Sequence, residues 1–138
     1  MHTFFSNKYF FVNIFEPNLI KIQDKNTSII YRNYNKKNIS NEVIKLKKFC
    51  KKYKYKLFLA NDIKLAQKLN LNGAYLPAFN KKFDHLSYSF KKNFILMGSA
   101  HNIREIEIKK KQKVKKIFLL SIFKKNKNYL GIYKFRIL

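Results

Sequence analysis

The chain has 138 residues, enough for one domain with a sizeable core. Its 46% hydrophobic and 17% aromatic content excludes a disordered polybasic tail, and three glycines and two prolines leave little room for linkers, so we expect a single domain over residues 1–138. The net charge of +24 predicts attraction to nucleic acid or anionic surfaces, but nearly all of it is lysine, with arginine only at Arg32, Arg104 and Arg136. Because base readout favours arginine, we interpret the lysine runs mainly as solvated helix faces.

Cues for location point to the cytoplasm. Cys50 is the single cysteine, so no intramolecular disulfide is possible. The amino terminus shows no signal-peptide pattern, and no run approaches the roughly twenty apolar residues of a membrane helix. We therefore expect a cytoplasmic protein with no membrane partner.

Six apolar runs of strand length occur along the chain. They predict fully buried strands, since they are continuous runs rather than alternations of apolar and polar residues. The runs are Tyr9–Phe15, Ser28–Tyr31, Leu57–Ala60, Ala74–Leu76, Phe94–Met97 and Ile117–Phe123.

Amphipathic segments between several of these runs predict helices. Their apolar stripes are Val43, Leu46, Cys50 and Tyr53; Ile63, Ala66 and Leu69; Phe83, Leu86 and Phe90; and Ile103 with Ile106, which we expect to face inward. Ser40 and Asn102 are predicted N-caps, Glu105 completes a capping box with Asn102, and Gly73 is placed to stop the second helix. Alternating strands and helices predict an α/β fold with a parallel sheet, either doubly wound or three-quarters of a (β/α)8 barrel.

Polar residues follow two of the predicted strands directly. Asn61 and Asp62 come after the third run, and Ser99 and His101 come after the fifth. Because α/β proteins build their sites at the carboxyl ends of parallel strands, these residues are the candidate functional groups.

An ordered set of segments over nearly the whole chain resembles the thiamine-phosphate synthase and TenI family. The matching segments are Ile29–Arg32, similar to the family's Ile-Gln-Leu-Arg; Tyr53–Phe79, with its Asn-Asp turn and following strand; Met97–Glu105, similar to Gly-x-Ser-x-His-Ser…Glu; Ile117–Phe123; and Tyr129–Gly131. The chain is identified as a divergent, C-terminally truncated member. The resemblance implies a (β/α) TIM-barrel type fold with about six of eight β/α units present. The first and sixth strands, around Phe11 and Phe118, would then have open edges that favour homo-oligomers.

The resemblance also implies a function in thiamine biosynthesis. The family's synthase joins an aminopyrimidine diphosphate to a thiazole phosphate and releases pyrophosphate, whereas the TenI branch isomerises a thiazole by proton transfer. The expected partners are therefore small phosphorylated substrates. In this chain Arg32 would hold the diphosphate, Asn61 and Ser99 would bind phosphate oxygens, Asp62 would be a Mg²⁺ ligand, and His101 would be the acid/base.

Several positions depart from the family's pattern and keep other interpretations open. Asn80 stands where a second metal-binding carboxylate belongs, so we expect weakened Mg²⁺ binding. The missing units are expected to reduce activity. On residue type alone, Asn61 and Asp62 are interpretable as helix caps, Arg32 as a surface charge and His101 as a turn residue. The alternative function is a non-catalytic basic protein that binds RNA or anionic surfaces through lysine faces, with nucleic acid the less favoured partner.

Overall fold

The computed structural model describes residues 8–119 and, for the backbone alone, residues 134–137. One sheet holds seven strands in sequential order, and the first five pairings are parallel. The strands are β1 Lys8–Val12, β2 Thr27–Tyr31, β3 Lys56–Ala60, β4 Gly73–Leu76, β5 Ile95–Ala100, β6 Lys116–Leu119 and β7 Lys134–Ile137. The six predicted parallel strands are confirmed, although β1 ends at Val12 and the predicted continuation of β6 beyond 119 lies outside the described residues.

The seventh strand is a feature that the sequence did not predict. β7 pairs antiparallel with β6, with Phe135 opposite Phe118. The expectation of an open edge at the sixth strand is therefore wrong, because β7 satisfies backbone groups of β6 that would otherwise lack a neighbour. Among the described strands, β1 pairs only with β2, so the other expected edge is present.

Helices connect the strands. They are α1 Pro17–Lys21, α2 Ser40–Tyr53, α3 Ile63–Lys68 and α4 Ile103–Lys111. The helix predicted around Phe83, Leu86 and Phe90 is instead a short 3₁₀ helix at Asp84–Ser87, and Phe83 and Leu86 are exposed. No helix in the described ranges is both long enough and apolar enough to span a membrane.

Three local expectations from the sequence are wrong. The N-cap position of α2 is taken by Ile39, whose backbone is already helical, so Ser40 is the first helical residue. Gly73 does not stop α3 but begins β4, where a Cβ would lie 1.8 Å from the carbonyl oxygen of Ile95. Ile103 does not face inward, since 74% of it is exposed, whereas Ile106 packs against the core.

The two faces of the sheet pack differently. The outer face packs against the helices, as shown by Leu57 and Leu59 in one cluster with Leu46 of α2. The inner face is filled by side chains from strands that are far apart in the order of the sheet. Phe11 of β1 lies 5.4 Å from Tyr75 of β4 and 6.3 Å from Phe118 of β6, measured between ring centroids.

Such contacts require the sheet to curl, because residues on the first and sixth strands of a flat sheet cannot touch. Tyr9 and Phe118 also meet across this interior, with centroids 4.9 Å apart. The six parallel strands form a curled half-barrel with helices between them, a partial (β/α) barrel whose interior is a packed core.

Candidate functional site

The candidate residues of the sequence all lie at the carboxyl ends of parallel strands. Arg32 follows β2, and Asn61 and Asp62 follow β3. Ser99 is the penultimate residue of β5, and His101 comes directly after that strand. Because β2, β3, β4 and β5 run in one direction, these residues share one edge of the sheet.

The turn between β3 and α3 holds Asn61 and Asp62 in a fixed geometry. Asn61 has a left-handed backbone (φ of 62°), and its N–H donates to the carbonyl oxygen of Tyr75 at 2.8 Å. Asp62 is the N-cap of α3, and its Oδ1 accepts the N–H of Leu65 at 3.0 Å. The capping role of Asp62 is thus confirmed, and a carboxylate has further acceptor positions for a ligand.

Asn80 joins this turn from the loop after β4. Its Nδ2 donates to Oδ1 of Asn61 at 2.8 Å, and its Oδ1 accepts the N–H of Lys82 at 2.9 Å. Asn61, Asp62 and Asn80 line a cleft of about 220 Å³, which we call the amide cleft. Its other lining residues include Lys64, Lys82, Asp84 and Tyr88.

A buried lysine on α4 contacts the backbone of the loop that forms one side of the amide cleft. Lys109 of α4 has no exposed surface, and its Nζ donates to the carbonyl oxygen of Asn80 at 2.8 Å and to Oε1 of Gln112 at 2.9 Å. Nε2 of Gln112 donates to the same carbonyl at 3.0 Å and to that of Lys82 at 2.9 Å. Ring nitrogen Nε2 of the buried His85 lies 2.8 Å from the carbonyl oxygen of Gln112. These contacts fix the loop that carries Asn80.

Burial lowers the pKa of Lys109 to about 8, although the Glu105 carboxylate opposes the shift. The sequence does not reveal this role, because Lys109 belongs to a run with Lys110 and Lys111 and such lysine runs were interpreted as solvated faces. No local pattern indicates this burial. Room for the lysine stem is left by Gly98 on β5, where a Cβ would lie 2.6 Å from the carbonyl oxygen of Leu76 and 3.1 Å from Cδ of Lys109.

His101 is held by the start of α4. Asn102 caps this helix, since its Oδ1 accepts the N–H of Glu105 at 2.9 Å, as predicted. The Glu105 carboxylate does not accept the N–H of Asn102, as a capping box requires, but that of His101 at 2.6 Å, and it lies 3.2 Å from Nδ1 of His101. Half of the His101 side chain is exposed. With Nδ1 directed at the carboxylate, Nε2 is the ring nitrogen placed for proton transfer.

Ser99 and Arg32 have different surroundings. Ser99 is buried opposite Phe118 in the pairing of β5 with β6. Arg32 is exposed, and its guanidinium carbon lies 4.2 Å from the centroid of the Phe11 ring, beside a separate cleft of about 350 Å³ next to β1. The structure thus gathers Asn61 and Asp62 with Asn80 in one cleft, while Arg32 lines another.

The residues of the amide cleft can hold Mg²⁺ only together with the oxygens of a bound ligand. The described residues contain no group of three or more His, Cys, Asp or Glu side chains arranged to bind a metal ion. The side-chain oxygens of Asn61 and Asn80 already accept hydrogen bonds. Asp62 and Asp84 are the carboxylates that line the cleft, and one or two carboxylates suit Mg²⁺ when phosphate oxygens of a bound ligand and water complete its coordination.

The fold and the placement of polar residues define a class of protein. Sequential parallel strands with helices between them, and polar residues at the carboxyl edge, are typical of the (β/α)-barrel enzymes. The family model for thiamine monophosphate synthase matches residues 18–135, and the chain belongs to this family. The resemblance seen in the sequence is thereby confirmed. No curated protein matches the chain in sequence.

Proposed function

We propose that this protein is a synthase of thiamine biosynthesis, which joins an aminopyrimidine diphosphate to a thiazole phosphate and releases pyrophosphate. The observation that carries the proposal is the amide cleft, where Asn61, Asp62 and Asn80 meet at the carboxyl edge of a chain of this family. We also propose a cytoplasmic location, and self-association through the β1 edge stays a prediction.

The diphosphate is proposed to bind between the loops after β2 and β3. Asp62 would hold Mg²⁺ together with the diphosphate oxygens, and the ion would neutralise the charge that builds up on the leaving group. Asn61 lies beside Asp62 to donate a hydrogen bond to a phosphate oxygen, and Lys64 and Lys82 line the same cleft and add positive charge. The role proposed for Arg32 on the diphosphate requires its guanidinium to leave the Phe11 ring, where it lines a separate cleft. Ser99 is proposed for the second phosphate.

The reaction needs the carbon–oxygen bond between the pyrimidine methylene and the diphosphate to break. The bonding electron pair leaves with pyrophosphate, and the lone pair of the thiazole nitrogen then forms the new carbon–nitrogen bond. No protein group has to accept a proton in these two steps. The contribution of the chain is therefore orientation of the two substrates and stabilisation of the leaving group.

A second candidate reaction is favoured by the contacts of His101. The Glu105 carboxylate orients the imidazole ring through Nδ1, an arrangement suited to a general acid/base. This supports a thiazole isomerisation by proton transfer, as in the TenI branch of the family. Loss of isomerisation in His101→Gln, with pyrophosphate binding unchanged, would separate this candidate from the synthase.

Calorimetric titration of pyrophosphate, with and without Mg²⁺, tests the proposed site. Asp62→Asn keeps a capping oxygen but removes the charge, so we expect it to abolish the Mg²⁺ dependence of binding without unfolding α3. Glu107→Gln is the matched control, because Glu107 is an exposed carboxylate on α4 that pairs with Lys110 at 3.7 Å. Binding that ignores Mg²⁺ and Asp62→Asn but falls steeply with salt would contradict the proposal and favour a non-catalytic basic protein.

A further inference from the structure

A second cleft lies at the opposite edge of the sheet, where β3, β4 and β5 begin. It has a volume of about 550 Å³ and lies between the end of α2, the turn after α3 and the segment that leads into β5. Five lysines line it, and we call it the lysine cleft: Lys47, Lys51, Lys54, Lys91 and Lys92.

The lysines come from two separate parts of the chain. Lys47, Lys51 and Lys54 belong to α2 and its C-cap, whereas Lys91 and Lys92 precede β5. None of the seven acidic residues of the chain, all of which lie in the described ranges, lines the cleft. Cations that face one another without a carboxylate between them repel, and an anion in the cleft would relieve that repulsion.

Stabilisation of a helix end explains only part of this arrangement. Lys51 lies in the last turn of α2, where a cation interacts favourably with the helix dipole. Lys91 and Lys92 lie in a segment that forms no helix, so this explanation does not apply to them. A shared anionic ligand accounts for both walls.

The walls of the lysine cleft are also ordered by hydrogen bonds. Asn72 connects two strands, since its Oδ1 accepts the N–H of Leu57 at 2.8 Å and its carbonyl oxygen accepts the N–H of Ile95 at 3.0 Å. Lys91 donates from Nζ to Oδ1 of Asn70, whose backbone is left-handed with a φ of 59°. The side chain of Lys91 is thus already held along the wall of the cleft, which reduces the conformational entropy that it loses when a ligand binds.

The chemistry of the cleft favours a ligand of linked phosphates. Among the apolar residues that line it, Leu57 and Leu71 are nearly fully buried and Phe94 is partly buried, whereas all five lysines bring an ammonium group. Ammonium groups on opposite walls suit a short chain that carries several negative charges. We propose that the lysine cleft binds a polyphosphate chain, either inorganic or as the triphosphate of a nucleotide. The site is independent of the amide cleft, which lies at the other edge of the sheet.

The test is calorimetric titration of inorganic tripolyphosphate at physiological salt. The cleft variant is Lys51→Gln with Lys92→Gln, and the matched control is Lys110→Gln with Lys111→Gln, which removes two exposed charges from α4. We expect the cleft variant to weaken binding about tenfold and the control to change it by less than about twofold, because only the lysines of the cleft would contact the ligand. The titration is made without Mg²⁺, so that the amide cleft does not contribute, and Asp62→Asn is then expected to leave tripolyphosphate binding unchanged. Failure of one site is thereby distinguishable from failure of the other.

Two further ligands separate the sources of the phosphate chain. If ATP binds as tightly as tripolyphosphate and loses affinity in the same variant, the triphosphate is sufficient for recognition and the proposal is supported. Equal weakening of tripolyphosphate binding by the cleft and control variants would overturn the proposal, because binding would then depend on the overall positive charge of the chain and not on the lysine cleft. A single-stranded RNA that binds more tightly than tripolyphosphate, and equally to both double variants, would also overturn it.

Discussion

Asn80 and Asn61 connect the loops after β4 and β3 through one hydrogen bond, with Nδ2 of Asn80 2.8 Å from Oδ1 of Asn61. Both ends of this link are fixed independently, by the left-handed turn at Asn61 and by Lys109 beneath Asn80. The amide cleft is therefore held in shape by protein groups alone.

Replacing Asn80 with aspartate should strengthen metal-dependent binding. Asn80→Asp adds a carboxylate to Asp62 and Asp84 in the lining of the cleft, and Mg²⁺ prefers anionic oxygen ligands. We expect the affinity for pyrophosphate in the presence of Mg²⁺ to rise about tenfold, as measured by titration calorimetry. Asn80→Ala is the control, since it removes the bond to Asn61 without adding a carboxylate, and it should give no gain. Equal binding by Asn80→Asp and the native chain at every Mg²⁺ concentration would contradict a metal role for this cleft.

The cap of α3 predicts a difference between two substitutions of Asp62. Asp62→Ala removes the acceptor for the N–H of Leu65 and should lower the free energy of unfolding by about 1 kcal/mol. Asp62→Asn keeps an acceptor and should lower it by only a few tenths of that amount, since Asn and Asp are similar N-caps. Urea denaturation of the three chains measures both values. Equal losses would show that the charge rather than the cap stabilises this turn.

The buried Lys109 predicts a stability that rises with pH. Its pKa is about 8 in the folded chain against 10.5 for the free side chain, so between these values the unfolded state binds more protons. Well below pH 8 the Lys109 side chain is charged in both the folded and the unfolded state, so its contribution to the free energy of unfolding does not change with pH. Relative to Lys109→Met, the native chain should gain about 1 kcal/mol of unfolding free energy per pH unit between about pH 8.5 and 10.

Urea denaturation across that range gives the difference between the two chains, in which the titration of Cys50 and the tyrosines cancels. Lys110→Met, at an exposed position of the same helix, is the control and should run parallel to the native chain. Parallel curves for Lys109→Met as well would mean that Lys109 keeps its ordinary pKa in the folded state.

The strands were predictable from sequence because a buried parallel strand needs a continuous apolar run, and each run is local. The ends of the helices and strands were less predictable from the sequence. Ser40 has the side chain of a good N-cap, but Ile39 already has helical backbone angles. Gly73 looked like a helix stop, yet its place is set by the approach of Ile95 on the neighbouring strand, which no local pattern encodes.

The same limit applies to the site. Asn102 was predictable as a cap, and Asp62 was interpretable as one, because a cap depends on residues three positions apart. The bond from Asn80 to Asn61 and the burial of Lys109 depend on contacts between residues 19 and 29 positions apart. In the sequence, Lys109 is one lysine among three in a row, and its burial depends on the space left by Gly98 and on its hydrogen bonds to Asn80 and Gln112.

Direct measurement of product is the sharpest test of the proposed synthase. The purified chain is incubated with aminopyrimidine diphosphate, thiazole phosphate and Mg²⁺, and thiamine phosphate is quantified by mass spectrometry. We expect product above the protein-free background, with turnover reduced at least about tenfold in Asp62→Asn and unchanged in Glu107→Gln. No product above background from the native chain, or equal turnover in Asp62→Asn, would contradict the assignment of this edge of the half-barrel as a synthase site.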